Sequence, residues 1–179
     1  MEKRNVEVEN KKGLASTRNL ILVGVMMAVG IVLRLFAGVI AVGNMHPNFL
    51  IATYCLSIFI IRPNLKEAAA IGLISGAISQ IGTSMAWLGL GSETIGAIAM
   101  CLLISIPLPK VIKPIVCTFI ATCISGFTFV GLAALTYANP MPLPQFISMS
   151  TVTLVTALLN MVIVTVLSLP VNKVMGNNE

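Results

Sequence analysis

Residues 19–36 read NLILVGVMMAVGIVLRLF, and Arg34 is the only charged residue among them. Such a run approaches the roughly 20 apolar residues that cross the hydrocarbon of a bilayer. The whole chain is 57% hydrophobic and 9% charged, whereas soluble domains carry about 25% charged residues. The composition therefore indicates an integral membrane protein. The first run exceeds the about 7–15 apolar residues of a signal peptide, so we expect it to be a retained helix.

Five further apolar runs follow the first. Their uncharged backbone is expected to cross as helix, because the weak alternation of polar residues does not fit a barrel. The predicted fold is thus an all-α integral membrane protein with six transmembrane helices. We expect a charged tail over 1–17, the six-helix domain over 18–172 and a short tail over 173–179. The five later spans are predicted near Pro47–Arg62, Ala68–Met85, Glu93–Ile106, Ile115–Tyr137 and Phe146–Pro170.

Lysine and arginine alternate between the connections of these spans. They precede the first span, lie between the second and third and between the fourth and fifth, and follow the sixth. Basic residues mark cytoplasmic connections, so both termini are predicted to lie in the cytoplasm. Arg34, near the outer end of the first helix, is the exception. It either reaches out to the outer headgroups or binds a ligand.

The outer connections hold most of the hydrogen-bonding and aromatic side chains, including the single histidine in GNMHPNF, residues 43–49. Polar groups set into apolar helix ends at one face indicate a pocket open to that face, although ordinary solvated loops have the same composition. The candidate binding residues in or beside these connections are Asn44, Met45, His46, Asn48, Gln80, Trp87, Glu93 and Tyr137.

The second span is short. From Pro47 to Arg62 a helix would extend only about 24 Å at 1.5 Å per residue, against about 30 Å of hydrocarbon. Pro47 suits the first position of such a helix, where a missing N–H costs nothing. The segment before Pro47 is therefore expected to dip below the outer surface and to line a cavity.

Glu93 is the only acidic residue near the outer half of the predicted membrane domain. In one interpretation Ser92 caps the fourth helix and Glu93 occupies its first turn, where a negative charge suits the helix dipole. In the other, the carboxylate binds an ammonium group, because ionisable residues within membranes are functional candidates.

Helix faces carry two further patterns. Gly72 and Gly76 are four residues apart, a spacing that allows close helix packing in lipid. Thr153, Thr156 and Asn160 share one face of the sixth helix. Asn160 lies deep, where an interhelical hydrogen bond is favoured over a ligand contact.

Several chemistries are missing from the sequence. It contains no aspartate, no HExxH, no Walker loop and no GxSxG, and its four cysteines form no CxxC pair. We therefore expect no catalytic residues, no metal site and no cofactor, and read the cysteines as small apolar residues. A small membrane protein with a pocket and no energy source suggests a capture subunit that other proteins energise.

Three stretches carry a resemblance to a known family: TRNLILVGVMMAVGIVLRLF (17–36), GNMHPNFLIATYCLSIFIIRPNLKEAAAIGLISGAISQ (43–80) and SETIGAIAM (92–100). The chain resembles, over about residues 17–172, the substrate-binding S component of energy-coupling-factor (ECF) transporters, and most of all the tryptophan-specific ones. In that family a GGMKPD-like segment stands where this chain has GNMHPNF. Met45 and Pro47 match it, and His46 and Asn48 depart from it.

The resemblance implies an outward-facing site roofed by the first loop, in a bacterial cytoplasmic membrane. It also implies as partners a transmembrane coupling subunit and two cytoplasmic ATPases, with no nucleic acid. The coupling subunit would dock on small residues four apart in the first helix, which Gly24 and Ala28 match. Packing within the chain itself is the alternative for this common spacing.

For a tryptophan ligand, Trp87, Tyr137, Phe49 and Met45 are candidates to sandwich the ring. Arg34 or His46 would receive the carboxylate and Glu93 the ammonium. Asn44, Asn48 and Gln80 would bond the remaining polar atoms. Two alternatives stay open: an S component for another small aromatic or vitamin-type nutrient, and a membrane transporter or scaffold outside the ECF group.

Overall fold

A computed structural model describes residues 13–37, 46–81, 85, 87–136 and 140–174, with side chains up to residue 170. These residues form six α-helices and a 3-10 turn, Gly13–Ala15, and no strand. The prediction of an all-α chain is confirmed. The helices are α1 (Thr17–Ala37), α2 (Leu50–Ile61), α3 (Leu65–Ile78), α4 (Leu88–Leu103), α5 (Ile112–Thr136) and α6 (Leu143–Val174).

Three of the helices, α1, α5 and α6, are long and apolar enough to cross a membrane. Helices α2 and α4 are apolar but have only 12 and 16 residues. At 1.5 Å per residue α2 extends about 18 Å, which is shorter than the hydrocarbon of a bilayer. A membrane protein with three long helices and several shorter ones is therefore what the structure supports.

Helix α2 is the central element of the bundle. Eleven of its 12 residues are buried, and it packs against all five other helices. Its sequence, LIATYCLSIFII, is apolar on every side, which is typical of a helix enclosed by other helices. The segment that leads into α2 is thereby held in the interior of the bundle.

Helices α3 and α4 approach each other closely along the two predicted glycines. A Cβ atom on Gly72 would lie 2.7 Å from the Cα of Thr94, and one on Gly76 would lie 2.7 Å from the Cα of Leu90. No side chain fits between backbones at that distance, so the prediction of close packing is confirmed.

Five of the six predicted helix starts differ from the structure by three residues or more, including those of α5 and α6, which begin at Ile112 and Leu143 instead of Ile115 and Phe146. Helix α2 begins at Leu50, so Pro47 precedes the helix instead of occupying its first position. Helix α3 begins at Leu65, because Asn64 and Glu67 form a capping box. Helix α4 begins at Leu88, after a left-handed N-cap residue with φ 73°.

The described ionisable side chains separate into two groups at opposite ends of the bundle. Arg34, His46 and Glu93 lie at one end, which we call the cavity end. At the other end, the basic end, Glu67 accepts a hydrogen bond from the Leu14 N–H and Lys113 donates to the Ile104 carbonyl. Arg18 and Lys66 lie in the first turns of α1 and α3, and Arg62 and Lys110 lie in the α2–α3 and α4–α5 connections at the basic end.

Candidate functional site

The cavity end encloses a cavity of about 330 Å³. Its walls come from α1, the segment 46–51, the end of α3, the start of α4, and the facing sides of α5 and α6. Small-molecule sites in proteins have volumes of about 300–1,000 Å³. The cavity is thus large enough for a small metabolite.

Glu93 is the central polar residue of the cavity wall. It is 2% exposed, at the sixth position of α4. Its Oε1 accepts a hydrogen bond of 2.5 Å from the Asn48 side-chain amide, and its Oε2 accepts one of 3.3 Å from the Ser125 hydroxyl. Such bonds offset part of the cost of burying a carboxylate. A positively charged ligand group would offset more.

The helix-capping interpretation of Ser92 and Glu93 is wrong. Because α4 begins at Leu88, Glu93 lies beyond the first turn, where the helix dipole has little effect. The Ser92 hydroxyl donates to the Gly89 carbonyl within the same helix, at 3.4 Å. The position of Glu93 is therefore not explained by the helix terminus.

Arg34 lines the same cavity from α1. Its Nη2 donates to the Ser79 carbonyl at 2.6 Å and its Nε to the Ile81 carbonyl at 3.0 Å. These carbonyls lie at the C-cap of α3 and just beyond it, where a cation suits the helix dipole. A guanidinium has five N–H donors, so the two bonds leave others for a carboxylate. Arg34 is half-buried at the cavity wall and is held there by backbone carbonyls. This placement differs from the alternative in which its side chain reaches out to the lipid headgroups.

The segment before α2 places two of the predicted residues. His46 is exposed at the cavity rim, and Asn48 lies deeper in the wall. The Asn48 Oδ1 accepts a bond from the Leu50 N–H at 3.2 Å, which fixes the amide so that its NH₂ faces Glu93. Its main-chain oxygen accepts a bond of 3.0 Å from the Asn160 amide. The deep interhelical bond expected of Asn160 is instead a bond from α6 to this segment.

Six apolar side chains also line the cavity, and we call them the apolar wall. They were not predicted as site residues, because most of them lie within helices in runs as apolar as their surroundings. Their helical register with polar neighbours was the available signal: Phe129 follows Ser125 by one turn, and Met149 precedes Thr153 by one turn. The apolar lining residues are Ile51, Met85, Phe129, Val130, Met149 and Val152.

Residues with hydroxyl groups also line the cavity. Thr153 and Thr156, whose shared face was predicted, are two of them. Thr122 is another, and its hydroxyl is buried with no hydrogen-bond partner among the described residues. Buried hydroxyls are normally paired, so Thr122 is a candidate to bond a ligand.

Two predicted residues lie outside the cavity lining. Gln80 accepts a bond from the Trp87 N–H at 2.7 Å and donates to the Gly76 carbonyl at 2.8 Å, so it ties the end of α3 to the start of α4. Trp87 is 74% exposed, because its left-handed backbone turns the side chain away from the bundle. Asn44, Met45 and Tyr137 fall outside the described residues.

Gly24 and Ala28 are exposed on α1. A Cβ on Gly24 would have no neighbour within 4 Å. Packing within the chain, the alternative for this pair, is therefore wrong for Gly24. The two residues leave a shallow strip on the outside of the bundle.

Groups of three or more potential metal ligands are absent from the described part of the chain. Cys55, Cys101 and Cys117 are buried and Cys123 is partly buried, all as free thiols. No protein-family model, no curated protein and no solved structure matches the chain.

Proposed function

We propose that this protein is the substrate-binding S component of an ECF-type importer and that it captures tryptophan. The observation that carries the proposal is the buried Glu93 carboxylate, which lines one cavity together with the Arg34 guanidinium and six apolar side chains. A zwitterionic amino acid with a large apolar side chain complements all three features. The resemblance of residues 17–172 to S components supplies the transport role.

The ligand's charged groups are assigned by complementarity. Its ammonium binds Glu93, where a desolvated carboxylate gains most from a cation. Its carboxylate binds the unused donors of Arg34 or the His46 side chain. The remaining polar atoms of the ligand bond polar side chains of the cavity wall, which include Thr122 and Gln145.

The indole lies against the apolar wall in this proposal. Phe129 offers an aromatic face for offset or edge-to-face contact. Met85 and Met149 offer thioethers, which pack favourably against aromatic rings. This wall takes over much of the role that the sequence analysis gave to Trp87 and Tyr137.

All six helices cross the bacterial cytoplasmic membrane in the proposed topology, and both termini are cytoplasmic. Support comes from the separation of charges, since Arg62, Lys66, Lys110 and Lys113 are found near the basic end, as the positive-inside rule requires of a cytoplasmic face. The cavity end then faces outward. The short α2 is accommodated because it is enclosed by protein and leads into a wet cavity.

The proposed partners are a transmembrane coupling subunit and two cytoplasmic ATPases. The protein is not an enzyme and depends on these ATPases for uptake. The exposed strip of Gly24 and Ala28 supports docking of the coupling subunit on α1, because small residues let helix backbones approach.

Mass spectrometry of small molecules released from the detergent-extracted protein tests the proposal, together with titration of the ligand-free protein. We expect tryptophan in the released fraction and saturable binding on titration. A vitamin or another aromatic metabolite in its place would keep the S-component role and replace the ligand. No ligand, no binding and no co-purification with a coupling subunit would support a scaffold instead.

A further inference from the structure

Asn160 is connected to the ammonium site without touching the cavity. It is fully buried on α6, and its amide donates to the main-chain oxygen of Asn48 at 3.0 Å. The side-chain amide of Asn48 donates in turn to Glu93 at 2.5 Å. One chain of hydrogen bonds therefore runs from α6, through the segment before α2, to the carboxylate on α4.

We propose that Asn160 is a positioning residue that orients the Glu93 carboxylate for the ammonium group of a ligand. The ligand part of this inference rests on the proposed function. Asn48 is held at two points, its Oδ1 by the Leu50 N–H and its main-chain oxygen by Asn160. Together they fix both the position and the orientation of the amide that meets Glu93. Removing the Asn160 bond frees one of the two points.

The acceptor of the Asn160 hydrogen bond distinguishes a positioning role from a role in helix association alone. An asparagine that only joins helices would bond a group on another helix. The Asn160 amide bonds a carbonyl that lies before the first residue of α2. The buried Asn160 amide therefore holds in place the segment that also carries His46 at the cavity rim.

The variant Asn160→Ser tests the inference with little risk to folding. A serine hydroxyl in a helix bonds the carbonyl four residues back, here that of Thr156, and so stays paired without reaching Asn48. Ser168→Ala is the matched control, because Ser168 is buried on the same helix and bonds only the Thr165 carbonyl of that helix.

Infrared spectroscopy of the ligand-free protein reads the Glu93 carboxyl group directly, and its band is assigned by its loss in Glu93→Gln. We expect Asn160→Ser to move this band, Asn48→Ala to move it, and Asn160→Ser to add no further shift in the Asn48→Ala background. Ser168→Ala should leave the band in place. A band unmoved by Asn160→Ser would overturn the inference.

Two ligands then test the consequence for binding: tryptophan, and 3-indolepropionic acid, which has the same ring and carboxylate without the ammonium. Asn160→Ser should weaken tryptophan about tenfold and change the deaminated acid by less than about twofold, as loss of one bond at a charged group predicts. Equal weakening of both would show a structural role only. If the wild type binds neither, the proposed ligand is wrong, while the infrared band still decides the positioning role.

Discussion

Replacing Glu93 by glutamine removes the charge of the candidate ammonium site and keeps its shape. In the native protein both carboxylate oxygens accept, one from Asn48 and one from Ser125. The Asn48 amide can only donate here, because its oxygen is bonded to the Leu50 N–H. The glutamine oxygen must therefore face Asn48, and its NH₂ must face Ser125, whose hydroxyl can turn to accept.

The size of the effect follows from this geometry. The stronger bond, 2.5 Å long, keeps an acceptor, and the weaker one, 3.3 Å long, reverses its direction. We expect the free energy of unfolding to change by less than about 1 kcal/mol, since one ordinary bond is at stake and a buried charge is removed. The ammonium group of a bound ligand loses its charged acceptor in this variant. A hydrogen bond to a charged group contributes about 1.5–3 kcal/mol, which corresponds to about 10- to 150-fold in Kd.

Isothermal titration of the detergent-solubilised protein measures Kd, and thermal melts of the same samples measure the change in stability. Glu93→Gln should weaken tryptophan by the factor given and leave 3-indolepropionic acid unchanged or more tightly bound, because the like-charge repulsion is gone. A parallel loss for both ligands, with an unchanged melting temperature, would refute the assignment of Glu93 to the ammonium group. Unchanged tryptophan affinity would refute it as well.

Three further outcomes are expected. Arg34→Gln should weaken tryptophan about tenfold, the value of one charged hydrogen bond, and spare tryptamine, which has no carboxylate; titration that finds both equally weakened would contradict this. Gly76→Ala should lower the free energy of unfolding by about 1–3 kcal/mol through overpacking against the α4 backbone, whereas Gly131→Ala, with no neighbour within 4 Å, should be neutral or stabilising in the same thermal melts. Glu67→Gln should lower the free energy of unfolding by about 1 kcal/mol. Glu67 now binds the N–H groups of Leu14 and Asn64, and a glutamine has only one acceptor oxygen for the two. An unchanged melting temperature would show that this cap adds no stability.

The site residues differ in whether the surrounding sequence alone marks them as candidates. Asn48 and Glu93 stand out in the sequence because a polar residue in an apolar run is conspicuous wherever the chain folds. Phe129 and Met149 do not stand out, because each is one of many apolar residues in its helix. Trp87 was a candidate because it is an aromatic residue of a predicted outer connection, but in the structure it has a left-handed backbone, is exposed and does not line the cavity.

The amino-acid sequence by itself determined the helical and strongly apolar character of the chain, because hydrophobic content and the spacing of charges are properties of composition and short range. It also predicted close helix packing along Gly72 and Gly76, since a four-residue spacing is local, but the structure supplied α4 as the partner. Only the tertiary structure decided which side chains share a cavity. The bonds from Asn160 to Asn48 and from Asn48 to Glu93 join residues 112 and 45 positions apart. The packing of the helices around α2 brings these partners together, and no local sequence pattern predicts that packing.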